Sequence, residues 1–194
     1  ELEQMLLKIT GMSDATLQLS AGSQGEFSGL LIMKKYHEKN GENRKYIIIP
    51  ETAHGTNPAS VVLGGFEPRE VKSDKRGRVD LEDIKSKLDN EVAGMMLTQP
   101  NTLGLFEDKI IEIAKEIHNV GGLMYMDGAN LNAMVGLCKP ADMNFDILHI
   151  NLHKTFSTPH GGGGPGSGPI AVVEKLAELL PVPRLSKNKE GVYS

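Results

Sequence analysis

Lys154 is the residue of this sequence best placed for covalent chemistry. It lies in the sequence NLHKTF (residues 151–156), directly after the apolar run 146–150 and shortly before the glycine-rich stretch 161–168. Most lysines are solvated surface residues. An amine at the end of a buried strand is partly desolvated, so it loses its proton more readily and attacks an aldehyde to form a Schiff base.

Two further side chains fit an aromatic ligand that carries such an aldehyde. Asp127 closes the apolar run 123–126, where a carboxylate would keep a pyridine nitrogen protonated and make the ring an electron sink. The alternative is a helix-capping or turn aspartate. His54 follows an apolar run that ends at Ile49, which would let its imidazole lie flat on the ring; the alternative is a capping or solvent-exposed histidine.

The sequence AGSQG (residues 21–25) reads as a loop that opens a helix. Free backbone amides and the positive end of the helix dipole accept a phosphate at such a place, although a capping loop without ligand is the alternative. The loop has neither the Walker ending nor the dinucleotide GxGxxG pattern. His149, His153 and His160 are close in sequence, but they lie on a strand that runs into a loop and no cysteine pair accompanies them, so we expect no metal site. We expect His118 to be a surface residue.

Strands and helices must alternate to position these residues. Apolar runs predict strands at 45–49, 92–98, 123–127, 146–151 and 169–173, and helical spacing predicts helices at 25–40, 81–88 and 109–119. This alternation is typical of an α/β protein with a mostly parallel, doubly wound sheet. Ligands of such sheets bind outside the carboxyl ends of the strands, so His54, residues 98–102, Asp127 and Lys154 should converge.

Composition excludes several other classes of protein. The chain has 194 residues, 39% of them hydrophobic, and a net charge of −4, so it can bury a core and has no excess of positive charge for binding nucleic acid. No run of 18 apolar residues exists to cross a membrane. Cys138 is the only cysteine and no secretion signal is visible, so we expect a cytoplasmic location.

Three motifs together resemble the P-protein family of the glycine cleavage system. They are AHGTNPAS (53–60), DGAN (127–130) and NLHKTF (151–156), the last followed by PHGGGGPG (159–166). The chain resembles the C-terminal half of that family from about residue 11 to about residue 181. The resemblance implies that residues 1–180 are the large domain of a fold-type I pyridoxal phosphate-dependent enzyme, and that 181–194 is a loosely held tail leading to a small domain absent from this chain.

The resemblance also implies roles for individual residues. Lys154 would bind pyridoxal 5′-phosphate as a Schiff base, Asp127 would hold the pyridine nitrogen and His54 would stack on the ring. The remaining cofactor-binding residues would be Gly22, Ser23 and Gln24 at the phosphate, with Thr98, Ala129, Asn151 and His153 completing the pocket. The sequence TQPNTLG (98–104) departs from the family's TYPSTHG, which leaves open the roles of Gln99, Asn101 and Leu103. The loop 161–168 is either a mobile element at the mouth of the site or a tight connection.

The implied activity is that of glycine dehydrogenase (aminomethyl-transferring). Glycine would be decarboxylated with pyridoxal phosphate, and its aminomethyl group would pass to the lipoyl arm of H-protein, with subunit 1 of the enzyme as a further partner. We expect the 194-residue chain alone to be inactive. One alternative is another fold-type I enzyme, an aminotransferase or a lyase, against which motifs 53–60 and 161–168 argue. The other is a non-catalytic scaffold subunit, which would need neither Asp127 nor Lys154.

Overall fold

A computed structural model describes residues 1–162 and 166–184 of the chain. The strands are β1 (Asp14–Thr16), β2 (Tyr46–Pro50), β3 (Glu67–Val71), β4 (Val92–Thr98), β5 (Leu123–Gly128), β6 (Ile147–Ile150) and β7 (Ile170–Val172). The α-helices are α1 (Leu2–Thr10), α2 (Gly22–Lys39), α3 (Thr56–Leu63), α4 (Leu81–Lys87), α5 (Ile110–Asn119) and α6 (Leu152–Thr155), and short 3-10 helices cover Pro140–Met143 and Glu174–Leu179.

The strands form one sheet of seven in the order β1-β7-β6-β5-β4-β2-β3. From β6 to β3 every neighbouring pair is parallel, whereas β7 is antiparallel to both β6 and β1. The predicted mostly parallel sheet is therefore confirmed. All five predicted strands and all three predicted helices are present, with ends that differ from the predictions by up to three residues.

Helices cover both faces of the sheet because its central strands are apolar on both sides. On β2, Ile48 packs into the core on the face of α1, α4 and α5, while Ile47 and Ile49 pack on the face of α2 and α3. Buried Ile110, Ile113 and Ile117 form one stripe along α5. The doubly wound arrangement predicted from the alternation of elements is confirmed.

Five of these strands and α-helices were not predicted: α1, β1, α3, β3 and α6. The edge strand β3 has the sequence EPREV and is largely exposed, so it lacks the apolar run that marks a central strand. The helix α3 begins inside the motif at 53–60 and has Pro58 in its first turn. Proline is compatible with the first turn of a helix, but it is also typical of turns. The sequence around Pro58 therefore does not predict a helix.

His118 corrects one prediction, because it is half-buried rather than a surface residue. Its Nε2 lies 2.7 Å from Oδ2 of buried Asp146, which also accepts from the backbone N–H of Met124 at 2.8 Å. Lys175 Nζ lies 2.7 Å from the other carboxylate oxygen. Burial alone would raise the pKa of Asp146, but these partners outweigh it and hold the pKa below its usual value.

We expect Asp146→Asn to lower the free energy of unfolding at pH 7 by about 1–3 kcal/mol, because the amide replaces a buried charge that accepts from three donors. The folded pKa is depressed, so this contribution is present above the unfolded value of about 3.9 and is lost as the pH falls below it. Urea unfolding of both proteins at pH 7 and pH 3 measures the difference. A gap at pH 3 as large as that at pH 7 would contradict the prediction.

No helix in the described part of the chain is long and apolar enough to cross a membrane.

Candidate active site

The parallel strands β2, β4, β5 and β6 end at one edge of the sheet, and polar residues follow each end. The register pairs Thr98 with Asp127 and Asp127 with His149 across three adjacent strands. A cleft of about 590 Å³ opens at this edge. Of the residues predicted for the site, the cleft is lined by Gly22, Ser23, His54, Thr98, Asp127, Ala129, Asn151, His153 and Lys154.

The N-terminus of α2 forms one wall of the cleft. Among residues 1–162 and 166–184 no side chain caps this helix, and its first backbone amides lack partners within the helix. Gly22 is buried against Asn151, and a Cβ at this position would overlap the Asn151 side chain. The sequence therefore needs glycine here so that the uncapped amides and Asn151 can lie side by side.

Gln24 is the one predicted site residue that does not line the cleft. Its side chain is turned back toward Ser20, and Oε1 accepts from the Ser20 backbone N–H at 2.9 Å and from the Ser20 hydroxyl at 2.8 Å. The side chain thus stabilises the loop before α2. Helical geometry explains the difference, because residues 22, 23 and 24 point in directions about 100° apart.

Asp127 lies at the end of β5 and is buried. Its Oδ2 accepts from Asn57 Nδ2 at 3.0 Å, its Oδ1 accepts from the Ala129 backbone N–H at 3.1 Å, and His149 Nε2 lies 3.4 Å from Oδ1. Burial works to raise the pKa of Asp127, but His149, Asn57 and Ala129 outweigh it and keep the pKa below its usual value. Asp127 is therefore a fixed anion inside the cleft.

Glu26 is a buried carboxylate that the sequence analysis missed. It lies on α2 and lines the cleft. Its carboxylate accepts hydrogen bonds from three side chains of α3, which are Thr56 Oγ1 at 2.9 Å, Ser60 Oγ at 2.8 Å and Asn57 Nδ2 at 3.4 Å. One atom each of Glu26, Asp127 and His149 lies within 4.8 Å of the others. The donors of α3 already occupy both Glu26 oxygens, so the cluster is a hydrogen-bonded network that ties α3 to the end of β5.

His54 is exposed at the start of α3, on the wall of the cleft. Its Nδ1 lies 2.7 Å from Thr56 Oγ1, which in turn donates to Glu26. Through Thr56, the buried carboxylate therefore fixes the position of the imidazole. The motif at 53–60 places His54 on the cleft wall and supplies the three partners of Glu26 from the first turns of one helix.

Lys154 lies on the short helix α6, directly after β6, and its side chain is exposed to the cleft. Within residues 1–162 and 166–184, its amine has neither a hydrogen-bond nor an ion-pair partner. The partial desolvation expected from the sequence is thus absent in this chain. The neighbouring His153 packs edge-on against His160, with ring centroids 4.7 Å apart.

Three buried polar atoms of the cleft residues have no partner in the described part of the chain. They are Thr98 Oγ1, Asn151 Oδ1 and His153 Nδ1. Buried polar atoms are almost always hydrogen-bonded, so unpaired ones around one cavity indicate a ligand that satisfies them. Together with the uncapped helix and the Asp127 anion, they fit an aromatic ligand that has an anionic group and a basic ring nitrogen.

Gln99 and Asn101 lie in the loop after β4, where their side chains hydrogen-bond within the protein. Asn101 Nδ2 donates to the Gly77 carbonyl at 3.0 Å and to Glu107 at 2.8 Å, and its Oδ1 accepts from two backbone amides of the same loop. Buried Gln99 exchanges two hydrogen bonds with the Glu107 backbone. Both residues shape the loop that holds Pro100 and Thr102 at the cleft, whereas Leu103 is 59% exposed.

The glycine-rich loop 161–168 is described only in part, because residues 163–165 lie outside the described residues. Its far end is packed: Gly168 is buried and its N–H donates to the Leu19 carbonyl at 2.9 Å. Of the predicted loose tail, 185–194 also lies outside the described residues. At its start, Arg184 donates two hydrogen bonds of 2.7 Å to Asp14.

The sheet order, the helices on both faces and the cleft at the carboxyl edge match the fold of fold-type I pyridoxal phosphate-dependent enzymes. The crystal structure of glycine decarboxylase (P-protein) of the glycine cleavage system superposes with a TM-score of 0.74 at 22% identity, over 98% of this chain and 42% of that one. An aromatic aminotransferase from Pyrococcus horikoshii gives 0.71 at 17% identity, over 92% of this chain and 49% of that one.

Sequence comparison narrows this class to one family. The profile of the glycine cleavage system P-protein matches residues 1–190, so the chain belongs to that family. It is 58% identical over 194 residues to a protein of Caldanaerobacter subterraneus and 56% identical over 195 residues to one of Pyrococcus furiosus, both named "Probable glycine dehydrogenase (decarboxylating) subunit 2". These matches cover all of this chain but only 40% and 39% of the relatives' length.

Proposed function

We propose that this chain carries the cofactor-binding part of a glycine decarboxylase that works in the glycine cleavage system. The single observation that carries the proposal is the cleft itself, which brings the exposed Lys154 amine, a buried carboxylate and the N-terminus of α2 to one sheet edge. The names of the relatives supply the substrate, glycine, and the family supplies the cleavage system.

The residues present fit pyridoxal 5′-phosphate. The amides of Gly22 and Ser23 at the start of α2 would bind its phosphate, and Asp127 would bind its ring nitrogen. Thr98, Asn151 and His153 each have a buried atom without a partner among the described residues, and these atoms would bind its remaining polar groups. His54 would cover one face of the ring. The domain interpretation follows: residues 1–180 form the cofactor-binding large domain.

Bound pyridoxal phosphate supplies an electron-poor ring that stabilises negative charge on the substrate carbon as the carboxylate leaves. The chain's residues prepare this chemistry. Asp127 would hold a proton on the ring nitrogen, since the hydrogen bonds from Asn57 and Ala129 and the neighbouring His149 keep its own carboxylate ionised. Lys154 would hold the cofactor's aldehyde through its amine, and its free amine would move a proton at the reacting carbon.

Two partners complete the proposal. Because relatives of this sequence are named subunit 2, we infer a second subunit of the same enzyme, subunit 1. The aminomethyl group left after decarboxylation needs an acceptor, which we propose to be the lipoyl arm of H-protein.

The test uses the full-length subunit together with subunit 1, pyridoxal phosphate, glycine and H-protein. We expect carbon dioxide release from carboxyl-labelled glycine with lipoylated H-protein, and none above background with H-protein that lacks its lipoyl group. A parallel assay offers glycine and a 2-oxo acid without H-protein. Amino transfer to the oxo acid at a comparable rate would contradict the proposal and favour an aminotransferase.

A further inference from the structure

A second layer of hydrogen bonds lies behind Asp127, formed by His149 and Tyr125. The Tyr125 hydroxyl lies 2.8 Å from His149 Nδ1 and 3.3 Å from the Gly25 carbonyl, and His149 Nε2 lies 3.4 Å from Asp127 Oδ1. Both side chains are almost fully buried, at 0% and 1% exposure. A phenylalanine would fill the same space at position 125, so packing alone does not require the Tyr125 hydroxyl.

The helix α2 is shaped around this pair. A Cβ at Gly25 would come within 2.8 Å of His149 Cβ, and one at Gly29 would overlap the Tyr125 ring. Two glycines one helical turn apart therefore let α2 lie directly on the two rings. This close packing also brings the Gly25 carbonyl of α2 within reach of the Tyr125 hydroxyl.

Burial fixes the protonation states of the pair. It raises the pKa of Tyr125 well above its usual value and lowers the pKa of His149, so Tyr125 stays a neutral hydroxyl and His149 a neutral imidazole with one proton. Glu26 and Lys154 are the other charged groups that act on His149.

Two tautomers of neutral His149 are then possible, and they differ in what faces Asp127. With the proton on Nε2, an N–H points toward the carboxylate and Nδ1 accepts from the Tyr125 hydroxyl. With the proton on Nδ1, the Tyr125 proton turns to the longer Gly25 contact, and a bare nitrogen lone pair faces the Asp127 anion. Both arrangements keep the 2.8 Å contact, because an N–H on Nδ1 would donate to the Tyr125 oxygen; only the first directs an N–H at the Asp127 anion and avoids the repulsion.

We propose that Tyr125 is a positioning residue of the site, whose hydroxyl holds His149 in the tautomer that directs an N–H at Asp127. The effect on catalysis rests on the proposed function, because it requires a cofactor nitrogen opposite Asp127. The tautomer itself does not depend on any cofactor.

Neutron diffraction of the cofactor-free, full-length subunit tests the tautomer directly. In the wild-type protein we expect deuterium on His149 Nε2, none on Nδ1, and the Tyr125 O–D directed at Nδ1. Deuterium on Nδ1 overturns the proposal, whether or not any variant folds. In Tyr125→Phe, which keeps the ring, Nδ1 loses its hydrogen-bond partner, so we expect the imidazole to shift and the distance from Nε2 to Asp127 Oδ1 to exceed the 3.4 Å of the wild type. An unchanged position of the imidazole also overturns the proposal.

Kinetic measurements on the cofactor-loaded enzyme with subunit 1 are the second test of the proposal. We expect Tyr125→Phe to lower kcat about tenfold and to leave KM for glycine within about twofold, because the change acts on Asp127 rather than on substrate binding. Tyr46→Phe is the matched control: Tyr46 packs under Arg69 far from the cleft, and both constants should stay unchanged. Equal kcat in Tyr125→Phe and the wild type overturns the catalytic role. If the wild type lacks glycine activity, the proposed function fails while the diffraction still decides the tautomer.

Discussion

Replacing Lys154 with alanine in the full-length subunit is expected to lower glycine-dependent exchange of labelled bicarbonate by about 10³-fold or more. The amine that would bind the cofactor's aldehyde and move protons is lost, and no lysine other than Lys154 lines the cleft among the described residues. Borohydride reduction of the loaded wild-type protein, followed by peptide mapping, should place the cofactor on Lys154. The alanine variant should retain no covalent label.

Two control variants distinguish the loss of the nucleophilic amine from the loss of positive charge and from a general effect of removing a lysine. Lys154→Arg keeps the positive charge but not a nucleophilic amine, so it should be as inactive as the alanine variant. Lys139→Ala removes an exposed lysine outside the cleft and should exchange at the wild-type rate. Exchange near that rate in Lys154→Ala would remove this residue from catalysis.

The sequence predicts the central sheet because each of those strands carries its own signal. The apolar run at 92–98 coincides with β4, and the helical stripe of isoleucines locates α5 within one residue at its start. Ligands bind at the carboxyl ends of parallel strands, so the strand positions alone predict that His54, Asp127 and Lys154 lie close together. All three residues line the cleft.

The buried layer behind the cleft has no such signal. Glu26 lies in the middle of a helical pattern, where a single carboxylate normally faces solvent, and its three partners come from α3, about thirty residues later. Tyr125 and His149 lie on neighbouring strands within apolar runs and look like ordinary core residues. Their pairing depends on strand register and on the close approach of α2, which local sequence does not encode.

For Gln24, the sequence predicts the segment that lies at the site but not the direction of the side chain. A phosphate-binding loop predicts which segment contacts the ligand, but the helical rotation between neighbouring residues decides which side chains face it. Gly22 and Ser23 line the cleft, whereas the next side chain folds back on Ser20. The exposure of Lys154 was missed for a different reason: desolvation depends on everything that surrounds the amine, not on the strand before it.

Asp127→Asn is expected to separate cofactor binding from chemistry. The amide has nearly the shape of the carboxylate and still accepts from Ala129, so pyridoxal phosphate should bind within about tenfold of the wild-type affinity. Turnover should fall about 10³-fold, because a neutral amide does not hold a proton on the ring nitrogen and the reacting carbon then loses its electron sink.

The measurement compares bound cofactor and glycine-dependent exchange in the same sample of the full-length subunit with subunit 1. Asp142→Asn is the matched control, since it makes the same change outside the cleft and should alter neither quantity. Losses of the same size in binding and exchange would mean that Asp127 only supports the structure through Asn57 and His149. A loss confined to exchange would mean that the negative charge which those neighbours maintain on Asp127 is what the chemistry requires.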